Sequence, residues 1–102
     1  MSKKYAFLLM GNSFDPQRDQ ACFHADGVDS YIITVRSPQE AVEKAKELAN
    51  QGFGALEVCG AFGEKLAWEM YQAAGKRLTV SYVVCPKEQE EANLRFWSQD
   101  LG

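Results

Sequence analysis

Ala55-Leu56-Glu57-Val58-Cys59-Gly60-Ala61-Phe62-Gly63-Glu64 is the stretch whose reading decides the fold. A short apolar run bearing one charge reads as a strand, and Gly60 and Gly63 bracket a turn. From Glu64 to Ala74 the apolar residues Leu66, Ala67, Met70, Ala73 and Ala74 fall at helical spacing, with Gly75 at the end. A strand that turns directly into an amphipathic helix is half of a βαβ unit, so the neighbouring segments decide whether the unit is completed.

Upstream, Tyr31-Ile32-Ile33-Thr34-Val35 is β-branched and aromatic, which predicts a strand. Ser37-Pro38-Gln39-Glu40 then matches a capping box: the Ser hydroxyl and Glu carboxylate satisfy amides reciprocally, and Pro takes the first helical position. Ala41, Val42, Ala45, Leu48 and Ala49 form the apolar side of the predicted helix, which ends at Gly52. Downstream, Leu78 to Cys85 reads as a strand stopped by Pro86. Lys87 to Leu101 reads as a last helix with Leu94, Trp97 and Leu101 along one side and Glu88, Glu90 and Glu91 near its positive end. Tyr5 to Met10 is an uninterrupted apolar run, as expected of a strand covered on both faces. Between Asn12 and Ser30 the chain is polar; Asp15-Pro16 opens a short helix to about Ala21 and Ala25-Asp26-Gly27 a turn.

Strands alternating with helices imply right-handed crossovers and a mostly parallel sheet. The expectation is one α/β domain over residues 1–102, a layered flavodoxin-like or Rossmann-like sandwich of four strands and about three helices. A chain of 102 residues buries a core without disulfides or metals. With a formal net charge of -3 and its lysines interspersed with glutamates, it offers no basic stripe to a phosphate backbone, so no nucleic-acid partner is expected. No stretch has membrane-spanning length, and the apolar run after Lys3-Lys4 stops at Gly11, short of a secretory signal. Three widely spaced cysteines, Cys22, Cys59 and Cys85, suit reduced thiols and a cytoplasmic setting.

Ligands of open parallel sheets bind beyond the carboxyl ends of the strands. That rule nominates Asn12, Arg36 and the turn Gly60-Ala61-Phe62-Gly63, whose free amides and helix dipole would attract a small anionic molecule. Turn glycines also serve backbone shape alone. Glu57 stands between Leu56 and Val58 in a strand that flanking helices should bury, and a buried carboxylate requires a partner, such as Arg36 or His24; the plainer readings are a satisfied ion pair or a strand face left open to water or a second subunit. It could also act as a general acid or base. Cys59 precedes a helix N-terminus, a setting that favours the thiolate, and Cys85 also ends a strand, so the two sulfurs would be close if those strands are neighbours. Catalytic candidates are therefore Glu57, Cys59 and His24, against the plainer reading of cysteines as small core side chains. No chelating pair of cysteines indicates a metal, no Walker loop or GxGxxG indicates a nucleotide, and no other pattern indicates a cofactor. Trp68, Tyr71, Phe96 and Trp97 are a large aromatic load for outer helices, which suggests a homodimer formed through those faces, or core packing.

The opening apolar strand, Asp15-Pro16, Gly27-Val28, Glu40-Ala41-Val42 and above all Leu56-Glu57-Val58-Cys59-Gly60 with Phe62-Gly63 resemble a family of prokaryotic α/β proteins of about 100 residues, described only as a domain of unknown function. The resemblance implies an α/β fold and brings no activity with it. The residues are compatible with three functions: binding of a small anion at residues 59–63, an enzyme using Cys59 or Glu57, and a non-catalytic homo-oligomeric interaction module.

Overall fold

The strand at Ala55–Val58 lies second from one edge of a five-stranded sheet in the computed structural model, which describes residues 2–99. In chain order the elements are β1 (Lys3–Met10), β2 (Ala21–Ala25), β3 (Val28–Val35), α1 (Pro38–Asn50), β4 (Ala55–Val58), α2 (Gly63–Ala73), β5 (Thr79–Tyr82) and, after a 3-10 turn at Lys87–Gln89, α3 (Glu90–Ser98). The sheet order is β2-β3-β1-β4-β5; β2 alone is antiparallel to its neighbour.

Strand β2 was not expected. It replaces the second half of the polar stretch, and the predicted helix from Asp15 to Ala21 is only one turn, held where the Asp15 carboxylate accepts from the amides of Gln17 and Arg18. Asp26 and Gly27 join β2 to β3 with φ of 56° and 75°. Two left-handed residues make the tight turn whose twist suits a two-residue hairpin. The sheet thus has five strands, not four.

Helix α1 begins as its sequence dictates, with Ser37 Oγ accepting from the Glu40 amide at 3.2 Å and Pro38 in the first turn. The Glu40 carboxylate closes the box one residue early, accepting from the Arg36 amide at 3.0 Å. At the other end Gly52 takes φ 87°, so the amides of Gly52 and Phe53 reach back to Ala49 and Leu48 and satisfy the last carbonyls.

Side chains alternate across each strand. Ala6, Leu8, Ile33, Val35, Leu56 and Val58 all point to one face and are buried there. Helices α1 and α2 pack together over that same face, α1 contributing Ala41, Ala45 and Leu48, and α2 Ala67 and Met70. Both crossovers, β3 to β4 and β4 to β5, advance in the same direction along the sheet, so right-handedness puts both helices on one side. The result is two layers. A flavodoxin-like or Rossmann-like sandwich needs helices on both faces, and β1 is covered on one face, not two.

The last segments also differ from expectation. Strand β5 is Thr79–Tyr82; Val83 still donates to the Val58 carbonyl at 3.1 Å, and residues 83–86 have no regular structure. Helix α3 has no buried residue and packs appreciably only on the adjoining 3-10 turn. Leu101, placed by its spacing on that helix, lies outside the described residues. The molecule measures 42 × 27 × 27 Å, with a radius of gyration of 14.4 Å. A compact chain of this length has a radius of about 13 Å, so the molecule is somewhat elongated.

Candidate functional site

Four parallel strands deliver their following loops to one edge of the sheet, which gathers Gly11 to Arg18, Arg36-Ser37, Cys59 to Phe62 and Val83 to Pro86. The turn at Cys59 to Gly63 is there, as its sequence implied. Gly60, Ala61 and Gly63 are exposed, and Phe62 is the buried anchor. Its amide donates to the Cys59 carbonyl at 3.0 Å, so one of the amides expected to face an anion is already committed. Gly63 has φ +76° and needs glycine for that conformation, whereas a Cβ on Gly60 would meet nothing within 4 Å.

Arg36 is at this edge but is not free. Its Nε and a terminal nitrogen donate to Oε2 of Glu40 at 2.9 and 2.8 Å. The guanidinium holds the Glu40 carboxyl below its usual range, and the carboxylate raises the arginine in return. Beside them lies an open cleft of about 610 Å³ whose charged lining is Asp15, Arg36, Glu40, Glu43, Lys44 and Glu47. Lys44 is paired with Glu47 at 3.2 Å. Four carboxylates face two already paired cations, and this electrostatic environment does not attract an anion. Asn12, exposed in the loop after β1, is the remaining polar group of the expected site.

Glu57 is a correction. It lies on the uncovered face of the sheet and is exposed, so neither helix buries it. Its partner is neither Arg36 nor His24 but Tyr5, on the neighbouring strand β1, whose hydroxyl donates to Oε1. Burial, then the hydrogen bond and the negative charge of Glu57, push the Tyr5 phenol up to about 12. The two groups stand on a floor that includes Phe7 and Leu9 of β1 and Ile32 of β3.

His24 is found in a different constellation. The register of β2 on β3 puts Cys22 opposite Tyr31 and His24 opposite Asp29, all four on one side of the sheet edge. His24 Nδ1 lies 2.6 Å from the Asp29 carboxylate, and its Nε2 lies 3.5 Å from the Cys22 sulfur. Hydrogen bonding to Cys22 pushes the Tyr31 phenol above its ordinary value. A carboxylate that accepts from Nδ1–H leaves Nε2 as the base facing the thiol, the arrangement by which cysteine nucleophiles are activated. Cys22 and Asp29 escaped the sequence reading because residues 21–25 were not read as a strand; once they are, the i, i+2 spacing of Cys22 and His24 puts both on one face. Cys59, by contrast, packs against the core, and Cys59 and Cys85 are free and half-buried.

The aromatic residues divide into two sets. Trp68 and Tyr71 of α2 are in ring contact at 5.5 Å and, with Thr79, Val80 and Tyr82 of β5, line a mainly apolar groove of about 450 Å³. Leu94, Phe96 and Trp97 stand on α3, each more than three-fifths exposed. Among the described residues no cluster of three or more His, Cys, Asp or Glu could hold a metal, and no helix is long and apolar enough to cross a membrane.

Fold and surface together define a small two-layer α/β domain with a mostly parallel sheet, one sheet face without helices and a C-terminal helix that buries no residue. The chain belongs to DUF6506, a family of unknown function, whose profile matches residues 3–98. Comparison with curated proteins and with solved structures finds no match.

Proposed function

We propose that this protein is a homo-oligomeric interaction module, with α3 as the element that engages another subunit. The observation that carries this is the exposure of Leu94, Phe96 and Trp97, at 69, 62 and 74 %, on a helix with no buried residue. A nine-residue helix is marginal in water by itself, and three large apolar side chains on it favour a covering surface. Sedimentation equilibrium tests the reading: the wild-type chain is expected at a multiple of its 11.4 kDa mass, and Leu94→Ala/Trp97→Ala at the single-chain mass. A wild type that stays single at all concentrations refutes it. Binding of a small anion at residues 59–63 has less support, since Arg36 and the Phe62 amide are already engaged.

The Cys22–His24–Asp29 geometry favours a second reading, thiol chemistry at Cys22 in place of Cys59 or Glu57. The thiol proton passes to His24 Nε2, and the thiolate attacks a small disulfide. A new sulfur–sulfur bond forms at Cys22 as the old one breaks, and the departing thiolate takes the proton from the imidazolium. Site-resolved alkylation is expected to show Cys22 reacting faster than Cys59 and Cys85, with a roughly ten-fold slowing in His24→Ala. Equal rates at the three thiols would remove this reading.

A further inference from the structure

From the geometry we infer that α3 seats in the groove between α2 and β5 of a second copy, and that two copies exchange these helices reciprocally. This rests on the reading of α3 as an oligomerisation element and goes on to specify where it binds and what it binds to.

The groove occupies the place the fold leaves vacant. Helices α1 and α2 lie side by side over the strands, α2 packing on the outermost strand β5, and among the described residues no further helix of this chain stands on the outer side of α2. What lines it is the outer side of α2 and the helix-facing side of β5: Trp68, Tyr71, Val80 and Tyr82, with Glu64 and Thr79. Trp68 is 54 % exposed and Tyr82 39 %, so large aromatic surfaces stand open along this groove.

The helix that would fill this groove does not pack appreciably in it. Val83 still donates to the Val58 carbonyl, which continues the strand pairing beyond β5, and Pro86 holds an extended backbone at φ -57° and ψ 143°. Residues 83–86 follow the carboxyl end of β5 without regular structure, and α3 packs appreciably only on the 3-10 turn before it, so its apolar side chains are free to meet a second molecule. A vacant slot and a helix without a seat on the same chain are the two halves of one contact, and exchange between identical chains satisfies both under two-fold symmetry.

The chemistry of the two halves matches. Leu94 and Trp97 are three residues apart and share one side of α3, and Phe96 stands edge-on to Trp97 at 4.9 Å. The Trp97 indole nitrogen already donates to Asn93 Oδ1 at 3.0 Å, so the ring can be buried with no unsatisfied donor. A pocket of about 450 Å³ falls in the range that accepts drug-sized ligands, roughly 300–1,000 Å³, and has room for such side chains. Two arms, each seating aromatic side chains that bury about 150–250 Å² apiece, remove on the order of 1,000 Å² or more with the grooves included, the threshold of a stable interface. The bare face of the sheet suits the arm less well, because Glu57, Ser30 and Ser81 lie on it and the Glu57 carboxylate would be taken out of water.

Full-length variants in the arm (Leu94→Ala/Trp97→Ala), in the groove (Trp68→Ala/Tyr82→Ala) and on the bare sheet face (Phe23→Ser) test the assignment by light scattering, with circular dichroism to verify folding. The wild type is expected at twice 11.4 kDa. Arm and groove variants are each expected to raise the dissociation constant at least about 30-fold, while Phe23→Ser remains paired. Mixing the arm variant with the groove variant restores one intact arm–groove contact per pair, so the mixture is expected to show the two-chain mass at concentrations where each alone is single. If the arm variant dissociates while the groove variant does not, or if Phe23→Ser dissociates, the seat is elsewhere and this inference fails although self-association through α3 stands. An arm variant with unchanged mass, or a wild type of single-chain mass, overturns both; assemblies growing beyond two chains overturn reciprocal exchange.

Discussion

Helices α1 and α3 are both amphipathic, yet α1 buries Ala41, Ala45 and Leu48 in its own core, while α3 buries nothing and carries larger apolar side chains. The difference lies in how the chain enters and leaves each helix. After α1 the chain must return to the sheet as β4, and that strand pulls the helix down onto the sheet. After α3 no strand closes a crossover among the described residues, and α3 packs appreciably only on the 3-10 turn before it. An apolar stripe alone therefore does not settle whether a helix packs on its own sheet; connectivity decides that.

The comparison is broken most sharply by truncating one side chain in each region. Met70→Ala, at a fully buried site, is expected to lower unfolding free energy by about 2–5 kcal/mol in urea titration. Leu94→Ala, measured at a dilution where the chain is single, is expected to change it by less than about 0.5 kcal/mol. Equal losses would show that α3 is packed on its own body. A smaller effect sharpens the contrast inside the junction between β4 and α2. Gly63→Ala forces a Cβ into a left-handed conformation and is expected to cost about 1–2 kcal/mol, whereas Gly60→Ala, in open space, is expected to be nearly silent by thermal melting.

The smallest effect separates the covered sheet face from the bare one. Tyr5 keeps its proton longer in the folded protein than its ordinary value of 10.0 allows, up to about 12. The folded state therefore binds this proton more tightly than the unfolded chain. Its contribution is complete below pH 10 and is lost as pH rises toward 12. Tyr5→Phe is expected to flatten the stability profile in that window, and an identical slope in both proteins would dissociate Tyr5 from the effect.

Much of this molecule is legible residue by residue. Ser37, Pro38 and Gly52 fix the ends of α1 because caps and left-handed turns are local geometry. The alternation of strand and helix from Tyr31 onward made a mostly parallel sheet readable, since a parallel connection requires a crossover. Strand β2 was not legible: Ala21-Cys22-Phe23-His24-Ala25 has weak strand propensity and is ordered by the tight hairpin to β3. Without that strand the Cys22–His24–Asp29 cluster has no common face and stays hidden in the sequence. Glu57 misled for a related reason. A charge between two apolar residues looks buried only if both faces of the strand are covered, and the side on which α2 lies is a property of the crossover, not of the segment.

By itself, the sequence determined which stretches from Tyr31 onward are helix and strand, where α1 and α2 start and stop, and that residues 59–63 join a strand to a helix, because these depend on interactions a few residues apart. Only the tertiary structure decided that both helices cover one face, that Glu57 belongs with Tyr5, that Arg36 is spent on Glu40, and that Trp68 and Trp97 stand on separate surfaces. Those outcomes depend on strand order and on the direction in which the chain leaves β5. Both are settled by pairing between segments distant in sequence, which no local pattern encodes.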